Sequence, residues 1–302
     1  MSEGSDAEVR RGTAYGAGAY ALWGTFPLFW PLLDPAGPLE VLAHRILWSL
    51  LVVTVLLQVG RIWSTVRVAR SSFVRLAVAA VLLAVNWGTY IYGVDSGQVV
   101  ETSLGYFINP LVSVGLGVLV LGERLRRPQQ VAIAAAVVAV LVLSFANGRP
   151  PYLALVLAFS FGTYGLLKKQ AGVGAVASLA VETAVLAPVA GLYLLYLTLT
   201  GQGTFAGHGL GHAGLLAACG LVTTVPLLAF GAAATRVPLT TLGLLQYLAP
   251  TIQLLLGTLL RHEPFGPARQ LGFALVWVAL AIFTADLVRQ RRRAPAGVVE
   301  PV

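Results

Sequence analysis

Charged side chains are scarce in this 302-residue chain, and their scarcity excludes most classes of soluble protein. Asp, Glu, Lys and Arg together make up 11% of the sequence, whereas hydrophobic residues make up 57%. A soluble globular protein carries roughly a quarter charged residues, so this chain has too few to cover its surface in water. The composition therefore predicts a polytopic membrane protein that is surrounded by lipid.

Cysteine is nearly absent, and so are the short motifs of nucleotide and metal chemistry. A single cysteine, Cys219, excludes an internal disulfide and any metal site built from several cysteines. The sequence contains no HExxH, GxSxG, P-loop or paired-aspartate signature. We therefore expect no enzyme activity, no ATP-coupled transport, no metal site and no cofactor.

Apolar runs long enough to cross a bilayer recur ten times along the chain. A bilayer core needs about 20 apolar residues per helix, and charged or helix-stopping residues separate the runs. The predicted spans lie at about 12–33, 38–59, 73–94, 99–121, 128–146, 150–167, 175–198, 210–230, 237–260 and 267–288. They form a first half (12–146) and a second half (150–288), with a tail at 1–11 and a basic tail at 289–302.

The basic residues occur in short clusters between these runs, although the formal net charge is +8. A nucleic-acid-binding protein gathers such charges on one face, so we expect no nucleic-acid partner. Lys and Arg are retained in the cytoplasmic loops of membrane proteins. With a cytoplasmic N-terminus, 16 of the 20 basic residues fall inside, three fall outside, and Arg45 lies within a span. Both termini are therefore predicted to be cytoplasmic, in a multi-pass protein of the inner or plasma membrane.

The two halves align when the chain is shifted by 140 positions. The shift pairs Leu104, Pro110, Leu116, Gly117, Leu119, Glu123 and Gln130 with Leu244, Pro250, Leu256, Gly257, Leu259, Glu263 and Gln270. Because each half has five spans, an odd number, the second copy must be inverted relative to the first. Inverted repeats are typical of secondary transporters, whose substrate path lies near the interface between the repeats.

Three long segments carry a family resemblance. They are HRILWSL (44–50), NWGTYIYGVDSGQVVETSLGYFINPLVSVGLGVLVLGERLRR (86–127) and TTVPLLAFGAAATRVPLTTLGLLQYLAPT (223–251). On these segments the sequence closely resembles the RarD group of EamA-type permeases, in the drug/metabolite transporter superfamily, over residues 12–290. The resemblance implies an all-α polytopic fold, with ten transmembrane helices arranged as two inverted five-helix repeats around a central cavity.

Two charged residues lie well inside predicted spans, where a charge costs roughly 2.5–3.5 kcal/mol. Arg45 is predicted to hold an anionic group of a solute or an outer-gate carboxylate such as Asp95 or Glu101. The alternative is a fixed structural ion pair or a side chain that extends to the membrane surface.

Glu182 is a candidate for proton coupling, because a carboxylate in an apolar environment can exchange protons near neutral pH. Its alternative is a carboxylate bonded to nearby hydroxyls or to a basic side chain.

Uncharged polar side chains recur at helical spacing along the third, fourth and ninth spans. Such groups are costly when they face lipid, so they must turn inward or bond to neighbours. We predict one solute cavity near the bilayer midplane, lined by Asn86, Trp87, Tyr90, Tyr106, Asn109, Gln246 and Tyr247. The alternative is that these residues only hydrogen-bond one helix to another.

Taken as a whole, the sequence predicts a secondary transporter that moves a small metabolite or amphipathic solute, in the outward direction, by alternating access. An uncoupled facilitator or channel is the alternative within transport, and a membrane scaffold or a polytopic enzyme is an alternative from another class. The expected partners are the solute and membrane lipid, and a homodimer is an open alternative.

Overall fold

The computed structural model of the protein describes residues 3–121, 127–234, 236–237 and 245–293. Within these ranges the regular structure is helical, without strands. The α-helices are α1 (Glu3–Gly24), α2 (Phe26–Phe29), α3 (Pro38–Val59), α4 (Arg70–Asp95), α5 (Val99–Leu121), α6 (Arg127–Asn147), α7 (Tyr152–Ala171), α8 (Ala175–Leu199), α9 (Gly209–Ala234), α10 (Leu248–Leu255) and α11 (Pro267–Arg293).

The helices have the length and the surface of a membrane protein. In the described part of the chain, six helices are long and apolar enough to cross a membrane, namely Pro38–Val59, Arg70–Asp95, Arg127–Ala146, Ala175–Leu199, Gly209–Phe230 and Pro267–Asp286. Two shorter apolar helices, Tyr152–Lys168 and Leu248–Leu260, accompany them. Large apolar side chains face outward, including Phe145 (84% exposed) and Leu119 (82%). Such a surface requires lipid around it.

The N-terminal region differs from the predicted continuous span at 12–33. The helix α1 begins at Glu3, within the predicted tail 1–11, and ends at Gly24. The acidic residues in its first turns favour a helix start there. The chain then forms α2 and a 3₁₀ turn at Trp30–Leu33, each with a proline in its first two positions. Pro27 and Pro31 lack an N–H donor, and two such residues four positions apart disfavour one continuous helix through this segment.

The ninth predicted span, 237–260, also differs from a single helix. The helix α10 covers only Leu248–Leu255, and a π-helix at Leu256–Leu260 follows it. Pro250 is the third residue of α10, where its missing N–H removes no hydrogen bond from the helix. Residues 238–244 lie outside the described part of the chain, as do Glu123 and Leu244 of the predicted repeat.

The helices pack mainly across the two halves of the sequence. Both α4 and α5 pack on α7, and α3 packs on α8 and α9. In addition, α1 packs on α9 and α10, while α6 packs on α11. Gly105 lets α5 approach α7 closely, because an added Cβ would lie 2.8 Å from the carbonyl oxygen of Ala154. These contacts place side chains from both halves in one interior.

Carboxylates fix the starts of helices by accepting hydrogen bonds from their free N–H groups. Glu263 accepts the backbone N–H groups of Val99 and Val100, at 2.7 and 2.8 Å, at the start of α5. Glu101 accepts the N–H of Leu153, at 3.0 Å, at the start of α7. The first N–H groups of a helix have no partner within it, so these acidic side chains have a structural role.

Candidate functional site

Arg45 lies in the interior of the bundle, where aromatic rings surround its guanidinium group. The residue is on α3 and is only 3% exposed. Its guanidinium carbon is 3.8 Å from the ring centroid of Trp87, 5.2 Å from that of Trp30 and 5.7 Å from that of Phe26. Cation–π contacts of this kind stabilise a desolvated cation by up to about 2 kcal/mol. The rings therefore hold the charge away from lipid.

The guanidinium group has only one hydrogen bond to the described residues. Its Nε–H donates to the Thr223 hydroxyl of α9 at 2.9 Å. A guanidinium carries five N–H donors, so four of them have no acceptor in this part of the chain. The carboxylate of Glu101, one of the predicted partners, pairs instead with Arg149 at 3.5 Å. Within the described residues, Arg45 has no ion-pair partner.

Tyr90 and Tyr106 lie beside this group and extend the same pocket. Tyr90 lies in the same buried cluster as Phe26 and Trp30, Tyr106 packs against that cluster, and the two tyrosine ring centroids are 5.6 Å apart. The hydroxyl of Tyr90 is buried without a hydrogen-bond partner, as is the indole N–H of Trp30. The pocket thus combines an arginine, an indole and a phenol that each have unused hydrogen-bond donors.

Asn86 connects the pocket to the second half of the chain. Its Nδ2 donates to the Leu157 carbonyl at 3.0 Å and to the Ser160 hydroxyl at 3.1 Å. The Tyr106 hydroxyl donates to the Asn86 Oδ1 at 3.4 Å. The amide therefore links α4 to α7, as in the interhelical alternative, and it also orients the Tyr106 hydroxyl.

The remaining predicted cavity residues have different surroundings. Asn109 lies one turn after Tyr106 on α5, and its Oδ1 is buried without a partner. Gln246 and Tyr247 are in the turn before α10. Tyr247 packs against the apolar cluster that contains Leu104. The structure thus places the Trp87 ring over Arg45 and packs Tyr90 and Tyr106 with Phe26 and Trp30. Asn86 is linked to this group through Tyr106, whereas Tyr247 packs against a different cluster.

Glu182 lies on α8 and is fully buried within a polar cluster. Its carboxylate accepts a hydrogen bond from the Ser178 hydroxyl at 2.7 Å and one from the Tyr164 hydroxyl at 3.3 Å. The Lys168 ammonium is 3.4 Å from Glu182 Oε1, and it also donates to the Tyr164 hydroxyl at 2.7 Å. These contacts are those of the alternative in which hydroxyls and a basic side chain hold the carboxylate.

A row of aromatic rings connects the Arg45 pocket with the Glu182 cluster. The Tyr106 ring is 6.4 Å from the Phe161 ring, and the Phe161 ring is 5.5 Å from that of Tyr164. Aromatic rings at these separations attract one another beyond simple area burial. The two charged groups that the sequence singled out are therefore joined by continuous packing along α7.

Several residues of the site were missed by sequence reasoning. Thr223 and Thr224 are adjacent threonines within the apolar span predicted at 210–230. Two neighbouring hydroxyl groups in such a span are a signal for a polar contact in the interior. Lys168 was assigned to a loop between spans. However, α7 continues to Ala171 and ends at Gly172, which adopts a left-handed conformation (φ 65°). Trp30 was ambiguous, because a tryptophan near a span end fits both a cavity wall and an interfacial anchor.

Comparisons with known proteins connect this architecture with a family of transporters. The EamA-like transporter family matches residues 10–145. Protein RarD of Streptomyces exfoliatus is 57% identical over 96% of this chain and 93% of its own length. The chain belongs to the EamA-like transporter family, as a RarD-type permease. This EamA permease is also 41% identical to the uncharacterized transporter YojE of Bacillus subtilis, over 95% of this chain and 97% of that protein.

A solved crystal structure supports the fold of this EamA permease independently. The match covers 91% of this chain and 97% of the chain in that structure, with a TM-score of 0.60 and 19% sequence identity. At that identity the likeness concerns the fold alone. Together, the apolar helices and the relatives establish a multi-pass membrane transporter.

Proposed function

We propose that this permease is a secondary transporter of the cell membrane that moves a small metabolite or amphipathic solute outward by alternating access. The observation that carries the proposal is the pocket around Arg45. Its walls come from α3, α4 and α5 of the first half, and Thr223 of α9 comes from the second. A binding pocket between two repeats is where a secondary transporter holds its solute.

Ten spans in two inverted five-helix repeats are part of the proposal. The helix contacts support it. If each helix is replaced by its counterpart in the other half, the observed helix pairs are converted into other observed helix pairs. Exchange converts the packing of α4 on α7 into that of α9 on α1, and the packing of α5 on α7 into that of α10 on α1. The contacts of α3 with α8 and of α6 with α11 map onto themselves. A pseudo-two-fold axis in the membrane plane produces such pairs.

The buried position of the pocket favours a transporter over an open channel. Arg45 and Asn86 are 3% and 1% exposed, so bulk solvent has little access to either side chain in this conformation. A channel would instead need a continuous path, lined by polar groups that ions or solutes can reach. A scaffold would have no use for buried donors that lack acceptors, because each of them costs free energy.

The test is transport in membrane vesicles. Everted vesicles with an imposed proton gradient would be screened for uptake of a solute library, since uptake into everted vesicles corresponds to export. We expect Trp87→Ala to reduce flux roughly tenfold or more, because Trp87 provides the closest ring to Arg45 and a desolvated cation–π contact contributes about 2 kcal/mol. Trp63→Ala is the matched control, since Trp63 is 46% exposed in the segment between α3 and α4.

Three results would contradict the proposal in different ways. Flux equal to that of empty vesicles for every solute would remove the transport function. Equilibration without accumulation against a gradient would indicate the uncoupled facilitator. Equal flux in Trp87→Ala and the wild-type protein would show that the pocket is not the solute site.

A further inference from the structure

The pocket around Arg45 has an excess of hydrogen-bond donors. The indole N–H of Trp30 and the hydroxyl of Tyr90 are buried without an acceptor, and four N–H groups of Arg45 have no acceptor among the described residues. Trp30 and Tyr90 belong to one buried cluster, which also contains Phe26 and Cys219. Buried donors are almost always satisfied in proteins, and an exception calls for a partner. The missing partner must be an acceptor.

The charge of the pocket restricts that acceptor to an anion. Arg45 brings one positive charge, and no described carboxylate neutralises it. A buried charge without a partner is strongly destabilising, whereas an anion with matching hydrogen bonds removes most of that cost. A single arginine neutralises a single negative charge. A monoanion is therefore favoured over a dianion such as a phosphate monoester, which would keep an unpaired charge in the interior.

The shape of the pocket restricts the anion further. The guanidinium carbon lies 3.8 Å from the Trp87 ring centroid, and the remaining N–H groups point along the edge of the planar guanidinium group. A planar carboxylate can accept two parallel hydrogen bonds from such an edge. The surrounding walls are the rings of Phe26, Trp30, Tyr90 and Tyr106, which suit an apolar or aromatic body attached to the carboxylate.

We propose that Arg45 binds the carboxylate of the transported solute, with Trp30 and Tyr90 as additional donors, and that the solute is an organic monocarboxylate with an apolar or aromatic body. The proposal rests on the proposed transport function and names its substrate class. The proposal also has a consequence for the stability of the protein without a bound solute. Without an anion the charge of Arg45 is held only by aromatic faces and one hydroxyl, so carboxylate binding should stabilise the fold.

Binding to the purified full-length protein tests this inference without a gradient. The probes are three carboxylates (phenylacetate, indole-3-acetate and octanoate) and the neutral amide of each one. Dissociation constants come from calorimetric titration, and the rise in Tm with ligand concentration gives a second readout. We expect each carboxylate that binds to do so more tightly than its amide. We expect Arg45→Gln to weaken carboxylate binding about 30-fold or more, and to leave amide binding unchanged.

Matched variants separate a ligand site from a structural one. Arg149→Gln removes an outward-facing arginine of the same charge and should leave all the dissociation constants within about twofold of the wild type, because Arg149 is exposed. Tyr90→Phe removes one donor and should weaken carboxylate binding about tenfold, as expected for a hydrogen bond to a charged group. The empty Arg45→Gln protein should be at least as stable as the empty wild type, because it loses an uncompensated buried charge. Arg45→Lys covers the case in which the glutamine variant fails to fold, since it keeps the charge and loses the planar pair of donors.

Four outcomes overturn the inference. The first is the absence of binding for all three carboxylates, and the second is equal affinity for carboxylates and amides. The third is unchanged carboxylate affinity in both Arg45→Gln and Arg45→Lys. The fourth is a lower Tm of empty Arg45→Gln together with unchanged carboxylate affinity. Transport measurements distinguish a failure of the carboxylate-site inference from a failure of the proposed transport function. Neutral solutes that Arg45→Gln moves at the wild-type rate would leave a transporter without a carboxylate site, whereas carboxylate binding without flux would contradict transport alone.

Discussion

The ion pair between Lys168 and Glu182 predicts that replacing Glu182 alone destabilises the protein more than replacing both partners. The carboxylate is fully buried and the ammonium lies 3.4 Å from it. In Glu182→Gln, the positive charge of Lys168 would remain in an apolar environment without its counter-charge. In Glu182→Gln/Lys168→Met, neither charge remains, and the methionine fills most of the volume of the lysine.

The magnitude follows from the exposure of the two partners. Removing one partner of a buried ion pair costs about 3–5 kcal/mol. The Lys168 side chain is 23% exposed, so it can turn partly toward solvent and recover some of that free energy. We therefore expect Glu182→Gln to lower the free energy of unfolding by about 2–3 kcal/mol. The double variant should lie within about 1 kcal/mol of the wild type, since replacing a buried pair with apolar groups is often neutral.

Reversible unfolding in mixed detergent micelles measures these differences as a double-mutant cycle. The control cycle is Glu8→Gln with Arg11→Gln, because both side chains of that pair are at least half exposed. Its coupling free energy should stay below about 1 kcal/mol. A coupling free energy between Lys168 and Glu182 that is no larger than the control would refute the reasoning, because it would mean that the buried pair does not stabilise the fold.

The same variants test proton coupling by Glu182 in vesicles. If the carboxylate carries protons, both Glu182→Gln and the double variant should lose gradient-driven flux, even though the double variant is stable. Restored flux in the double variant would instead assign Glu182 to the structure alone.

Three further predictions concern the architecture. Gly220→Ala should destabilise the protein by about 1–3 kcal/mol, because its Cβ would lie 2.5 Å from the Trp48 carbonyl oxygen. Unfolding of Gly214→Ala, which has open space around it, provides the control, and equal stability of the two variants would refute the close approach. Glu263→Gln should cost about 1–2 kcal/mol in the same assay, because an amide has one acceptor oxygen for the two N–H groups that now share the carboxylate; wild-type stability would contradict a capping role. Reporter fusions after Arg293 should be active on the cytoplasmic side, and an external signal would reverse the predicted topology.

Helix positions were largely predictable because they depend on hydropathy and on helix-stopping residues. The predicted spans 38–59 and 99–121 coincide with Pro38–Val59 and Val99–Leu121. The errors occurred where proline acts locally, as at Pro27 and Pro31. A hydropathy window averages over about 20 residues and cannot register the loss of one N–H group.

The contacts of the site were less predictable, because they join helices that are far apart in the sequence. Arg45 could be identified as a buried charge, but its partner Thr223 is 178 positions away. Periodicity gives the face of a helix and not the neighbour of that face. Asn86 therefore fitted both a cavity wall and an interhelical bond, and the structure shows the bonds to Leu157 and Ser160. The same ambiguity applied to Glu182 until Lys168 was placed in α7.

The packing of each half against the other has a consequence for synthesis of the chain. The first half emerges from the ribosome while α7, α8 and α9 are not yet made, and the delay is roughly ten seconds at normal elongation rates. During that time the Asn86 amide lacks the Leu157 carbonyl, and Arg45 lacks the Thr223 hydroxyl. Nascent α3 and α4 must therefore wait beside the insertion machinery, or beside water, until their partners arrive. A chain that is truncated after α6 should be recognised by membrane quality control and degraded, because its polar groups would face lipid.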